Sequence, residues 1–157
     1  MKDDLKKEFT ARIVNANRSD LVVIKYEMIF AYMEDARRDM ADNLWEKVKN
    51  DLTCIERILD RLMKDLDFTY EISNELYRLY RFSMERLALC RIRKNLAEME
   101  VVNTVLKNLY KGFAEVAKTD TSRPLMSSSQ ELVTGMTYGK NSMNETYSND
   151  LNKGFFI

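Results

Sequence analysis

The sequence predicts an all-α protein: an antiparallel up-down-up-down four-helix bundle with a short N-terminal arm or helix and a flexible C-terminal tail. Three observations carry this expectation. The 157 residues hold only four Gly and one Pro, too few for the turns of a many-stranded sheet protein. Leu, Met, Ala, Glu, Lys and Arg dominate, and these are the good helix formers. Apolar residues recur at helical spacing along four segments whose links, near 41–43, 67–69 and 94–95, are short. Short links make neighbouring helices run in opposite directions, and helices of about 24 residues reach roughly 36 Å.

The arm, 1–16, carries Leu5, Phe9 and Ile13 at i, i+4 and i+8, the spacing of a short helix. The first long helix is expected over about 17–41. Asn17 with Asp20 resembles a capping box with Asp in place of Glu, and Ser19 is a rival cap. Leu21, Met28, Ile29, Tyr32, Met33, Ala36 and Met40 form its wide apolar stripe. The second helix, about 43–67, places Trp45, Val48, Leu52, Ile55, Leu59, Leu62 and Leu66 at alternating spacings of 3 and 4. That is a heptad seam, suited to packing at a shallow angle.

The third helix, about 70–93, carries Ile72, Leu76, Leu79, Tyr80, Ser83, Leu87 and Cys90 on one side. The fourth, about 95–118, opens on Asn95 and Glu98, a second capping-box candidate. Its seam is Leu96, Met99, Val102, Leu106, Leu109, Phe113 and Val116. Gly112 inside it costs about 1 kcal/mol relative to Ala, which a close helix approach would explain. These elements make one bundle domain, 1–118. From Thr119 the composition changes: residues 119–157 hold the only Pro, three of the four Gly and many Ser, Thr and Asn, which reads as a flexible tail. Ser128, Glu131, Leu132, Val133 and Met136 suit a short helix there, and the terminal Phe155, Phe156 and Ile157 suit docking on this protein or on another.

Charge and composition exclude several classes. Lys plus Arg and Asp plus Glu number 25 each. A neutral chain lacks the charge that a general nucleic-acid binder uses against phosphates, or that holds a protein to anionic membranes. There is no histidine, the commonest general base and neutral metal ligand. Cys54 and Cys90 sit apart inside helical patterns, as small core hydrophobes of a reducing compartment do. No phosphate-binding loop or dinucleotide fingerprint is present. The expectation is a non-enzyme without cofactor or metal. The N-terminus has no apolar signal core and no stretch approaches about 18 apolar residues, so the chain reads as cytoplasmic.

Two surfaces stay open to more than one reading. Arg78, Arg81, Arg86, Arg91, Arg93 and Lys94 make the third helix locally basic. This is a solvated face balanced by Glu71, Glu75 and Glu85, or a patch for an acidic protein partner. Tyr70, Tyr77, Tyr80, Phe82 and the ten methionines exceed what one seam can bury. They fill a broad core, or they form a second apolar surface on which flexible Met side chains accept varied partners.

The segment 66–95 resembles the third-helix region of FliS-type chaperones, small proteins that hold flagellin before export. The similarity extends to about 9–118. Residues 13–21 resemble the approach to the family's first long helix, with Asn17 where its capping Ser usually stands and Arg18 where its Pro does. Tyr26 and Glu27 resemble its Tyr-Asp pair, Tyr32, Met33 and Ala36 its apolar positions, and Leu106, Leu109 and Phe113 its last core helix. Met28 and Ile29 depart from the small pair usual there, and the tail is longer than usual.

The resemblance implies a flagellar type III export chaperone that binds the disordered C-terminal segment of flagellin in the cytosol and prevents premature polymerisation. Flagellar export-gate proteins are the further partners. Expected groove residues are Ile58, Leu76, Tyr77, Tyr80 and Met84, with Phe9 and Ile13 on the arm as a plug that moves aside for the ligand. Residues 151–157 could occupy the groove in cis. The alternative is a helical-bundle adaptor or scaffold that binds a different amphipathic protein segment.

Overall fold

The computed structural model describes residues 1–126. Among them are five helices and no strand: α1 (Asp3–Val14), α2 (Arg18–Ala41), α3 (Trp45–Lys64), α4 (Ile72–Arg93) and α5 (Ala97–Thr119). The sequence suggestions of a helix around 128–136 and of a docked 151–157 lie outside the described residues.

Local chemistry sets several helix ends. Asn17 starts α2 with a complete capping box. Its side-chain oxygen accepts the Asp20 N–H at 2.9 Å, and Asp20 accepts the Asn17 N–H at 3.2 Å. Two orphan donors are thereby satisfied. Asn43 ends the α2 region at φ 56°, the left-handed conformation that Asn tolerates better than most residues, and the Leu44 N–H returns to the Asp39 carbonyl at 2.8 Å. Lys94 stops α4 at φ 50°, ψ 45°, with the Asn95 N–H on the Cys90 carbonyl at 3.3 Å.

Four sequence expectations need correction. Val116, expected in the α5 seam, is exposed. Asn95 and Glu98 do not form a capping box. Asn95 accepts instead from the Ala97 N–H at 3.1 Å, an Asx turn one step too early, while Glu98 pairs with Arg86 and Arg93. Ile72 is exposed rather than buried. It opens α4, and Ser73 takes the inward position, its hydroxyl on the Asp67 carbonyl at 2.5 Å. Gly112 answers no close approach: a Cβ there would meet nothing within 4 Å.

Four helices share one core. Val48, Leu52, Ile55 and Leu59 of α3 meet Ile29, Met33 and Ala36 of α2, Leu87 and Cys90 of α4, and Met99, Val102 and Leu106 of α5. Each fully buried Leu, Ile, Val or Met contributes roughly 1.5–3 kcal/mol. The packed pairs are α2 with α3, α3 with α4, α4 with α5, and α5 with α2. Polar contacts show the sense of two of them. Along α2 and α5, Arg37 meets Glu100, Glu27 meets the Tyr110 hydroxyl, and Asn17 meets the Asp120 carbonyl. Residue numbers fall on one partner as they rise on the other. Likewise Lys25 of α2 pairs with Asp65 just after α3, while Asp42 to Leu44 connect the opposite ends.

The helix α1 packs on α2 as a satellite. Phe9, Ala16 and Ile24 are buried together, with Leu5, Ile13 and Met28 against them. Two ionic ties fasten it: Arg12 to Glu27 at 2.5 Å, and the Met1 ammonium to Asp35 at 2.5 Å.

Candidate functional site

Where α2 and α4 begin and α3 and α5 end, the helix ends enclose a cleft of about 510 Å³. Its apolar walls are Leu21 and Val22 from α2, Leu62 of α3, Leu66 just beyond it, Leu76 and Tyr80 from α4, and Phe113 from α5. Arg18, Lys25, Asp65 and Asp67 add charge to the lining. An apolar cavity with a few polar groups is the general form of a binding site.

Beneath it lies an aromatic floor. Tyr26 is fully buried; its ring centroid is 5.6 Å from that of Phe113 and 6.5 Å from that of Tyr80. The Tyr26 and Tyr80 hydroxyls meet at 2.7 Å. Burial pushes both phenols up, so the pair is neutral and the floor uncharged. Phe30 and Tyr110 continue the cluster edge to face at 5.6 Å.

At the mouth, the chain between α3 and α4 turns on Asp67. Its carboxylate accepts the Thr69 N–H at 3.0 Å and the Thr69 hydroxyl at 2.7 Å, bonds that hold the acid below the usual range. The segment that follows carries large apolar side chains into solvent: Phe68 is 54% exposed, Tyr70 65%, Ile72 64% and Tyr77 40%. Phe68 packs on Tyr77 edge to face at 5.9 Å. Tyr70 and Ile72 line the cleft itself. Exposed apolar side chains grouped beside a cavity make this mouth the candidate interaction surface.

The five residues expected to form a groove do not share one environment. Leu76 and Tyr80 line the cleft but are buried, Tyr80 as part of its floor. Tyr77 stands outside on Phe68. Ile58 of α3 and Met84 of α4 are half-buried against the core. Of the two arm residues, Phe9 is buried on α2 and Ile13 is half-buried beside it, in a cluster separate from the main core. The arm and α2 border a second crevice of about 470 Å³, lined by Glu8, Arg12, Asp20 and Val23 among others. Sequence reasoning passed over Phe68, which the turn on Asp67 projects outward, and Leu125, which follows the only Pro and also lines the main cleft.

Among the described residues, the acid with a raised pKa is Asp51, lifted to about 6 by burial and by the Asp35 and Asp39 charges. It is buried on α3, near Asp35 and the chain terminus, and does not line the cleft. No helix among the described residues is long and apolar enough to cross a membrane.

The described helices thus present an apolar cleft with large apolar side chains exposed at its mouth. The family model described as flagellar protein FliS matches residues 1–120. The chain belongs to the FliS family, a membership that implies a flagellar export chaperone. No curated protein sequence matches it.

Proposed function

We propose that this protein is a cytoplasmic chaperone of flagellar type III export that binds the C-terminal segment of flagellin and prevents its premature polymerisation. On this reading α2–α5 form the antiparallel four-helix bundle of a domain spanning about 1–118, and export-gate proteins are later partners. One observation carries the reading: Phe68, Tyr70, Ile72 and Tyr77 stand exposed at the lip of the apolar cleft. An amphipathic ligand would lay its apolar face there and fold as it binds. Ordering it consumes part of the binding energy, which leaves the complex releasable. Ile58 and Met84 extend the surface along α3 and α4, and Phe9 with Ile13 guard the neighbouring face of α2.

The test is calorimetric titration of the full chain with the flagellin C-terminal segment. Saturable one-to-one binding with a large negative heat-capacity change supports coupled folding on an apolar surface. Tyr70→Ala with Tyr77→Ala should weaken it by about tenfold or more, as loss of interface aromatics does. Binding of wild type with no heat-capacity change, or a double variant that binds equally well, would refute the placement. No binding by a folded chain would refute the function.

A further inference from the structure

The chain does not leave the bundle at the end of α5. After Thr119 it crosses back over the start of α2, where its backbone is tied down. The Asn17 side-chain amide donates to the Asp120 carbonyl at 3.3 Å and the Ser122 carbonyl at 3.4 Å. The Ser19 hydroxyl donates to the Asp120 carboxylate, and the Leu125 N–H donates to the Ala16 carbonyl at 3.0 Å. Asp120 also accepts the Ser122 N–H at 2.9 Å. Hydrogen bonds from Ser122 and Ser19 draw its carboxyl down to about 2, so this acceptor stays charged at any physiological pH. The path ends with Leu125 in the lining of the cleft, opposite residues of all four long helices.

We propose that residues 120–125 form a strap that closes one side of the end cleft in cis, Leu125 standing against the surface on which a partner's apolar anchor would dock, so that strap and partner compete for one site. The proposal rests on the reading above for the identity of the partner but not for the strap itself. Two features suit the strap to opening. The ties described above are single polar bonds, and Leu125 keeps 44% of its surface in water. Segments with few buried apolar contacts open at the low end of the stability range. A strap closed for about nine-tenths of the time would lower apparent partner affinity about tenfold. Such a device narrows the cleft when no client is present and yields to a client that contributes more apolar contact than one Leu.

The experiment uses the full chain, the variants Leu125→Ser and Ser19→Ala, and a synthetic peptide of the flagellin C-terminal segment. Amide exchange at Leu125 is followed by nuclear magnetic resonance. Both variants should bind the peptide about tenfold more tightly than wild type if closure is about nine-tenths. The Leu125 amide should be protected in the free protein and lose protection in Ser19→Ala and on adding peptide. Peptide binding with equal affinity for all three chains would overturn the strap while leaving the chaperone reading intact. If no chain binds the peptide, the chaperone reading fails and exchange alone decides. A protected Leu125 amide released in Ser19→Ala supports the strap, and exchange at the rate of open chain in wild type overturns it.

Discussion

The hydroxyl groups of Tyr26 and Tyr80 meet 2.7 Å apart at the centre of the helical core, one from α2 and one from α4. Each is buried, so each depends on the other. Tyr80 also lines the end cleft, so this one bond ties the floor of the cleft to the contact between two helices.

Removing one hydroxyl should cost more than removing both. Tyr26→Phe leaves the Tyr80 hydroxyl buried, and an unpaired buried group costs about 1–3 kcal/mol. Tyr80→Phe should behave alike, and the double Phe variant should recover most of the loss. Urea unfolding of the four chains gives the coupling energy. Additive losses would show that the hydroxyls find other partners.

Asp51 should make the protein less stable as pH rises through the window between its unfolded and folded pKa. Burial and the charges of Asp35 and Asp39 lift it from 3.8 to about 6, against the opposing pull of the chain-terminal ammonium and Arg38, and its Oδ2 meets no hydrogen-bond partner. Between these values the folded state holds a proton that the unfolded state has released, so stability falls with rising pH and the loss is complete above the folded pKa. Asp51→Asn should remove this slope and raise stability at pH 7 by at most about 3 kcal/mol. Urea midpoints at pH 4 and pH 7 measure it. Asp35 contributes in the opposite sense. Although burial alone would raise it, hydrogen bonds from the Met1 ammonium and Arg38 hold it low, so its stabilisation is lost as pH falls through the acid range.

The arm should detach before the four-helix core unfolds. Phe9 anchors α1 in a small cluster of its own on α2, and Phe→Ala in a packed site costs about 3–5 kcal/mol. Phe9→Ala should therefore release amide protection across α1 while α3, α4 and α5 keep theirs. Uniform loss of protection would mean that arm and bundle are one cooperative unit.

Lys94→Gly should stabilise. Lys94 sits in the left-handed region at φ 50°, a conformation that costs a residue with a Cβ roughly 1–2 kcal/mol. Part of the gain is returned through the freer unfolded chain, leaving about 0.5–1 kcal/mol, visible as a higher thermal midpoint.

Much of the fold was legible because its signals are local or periodic. The α3 seam from Val48 to Leu62 is buried as its heptad spacing requires, and the Asn17–Asp20 cap formed as read. The misses have physical causes. Asn95 and Glu98 had the right types and spacing, but one φ inversion at Lys94 shifted the start of α5 and left the cap to a turn. Ile24 and Tyr26 are buried yet lay off the expected stripe, because α2 packs on α1 as well as on the bundle and so has more than one buried face. The candidate site was less legible than the core. Tyr77 was singled out, but the cleft is made by four helix ends and a returning chain, and no local pattern reports that convergence. Leu125 looked like one apolar residue in a polar tail; its place depends on a hydrogen bond to Ala16, over a hundred positions away.

Asn17 caps α2 through its side-chain oxygen and grips residues 120 and 122 through its side-chain nitrogen. Ser and Asp rank with Asn as helix caps, but neither offers an acceptor and a two-hydrogen donor on one short side chain. Substitution at this position is therefore asymmetric. A lineage that drifted from Asn to Ser would keep its helix and lose its hold on the returning chain. Residue 17 and the stretch after α5 would then change together over evolutionary time, although more than a hundred positions separate them in the gene.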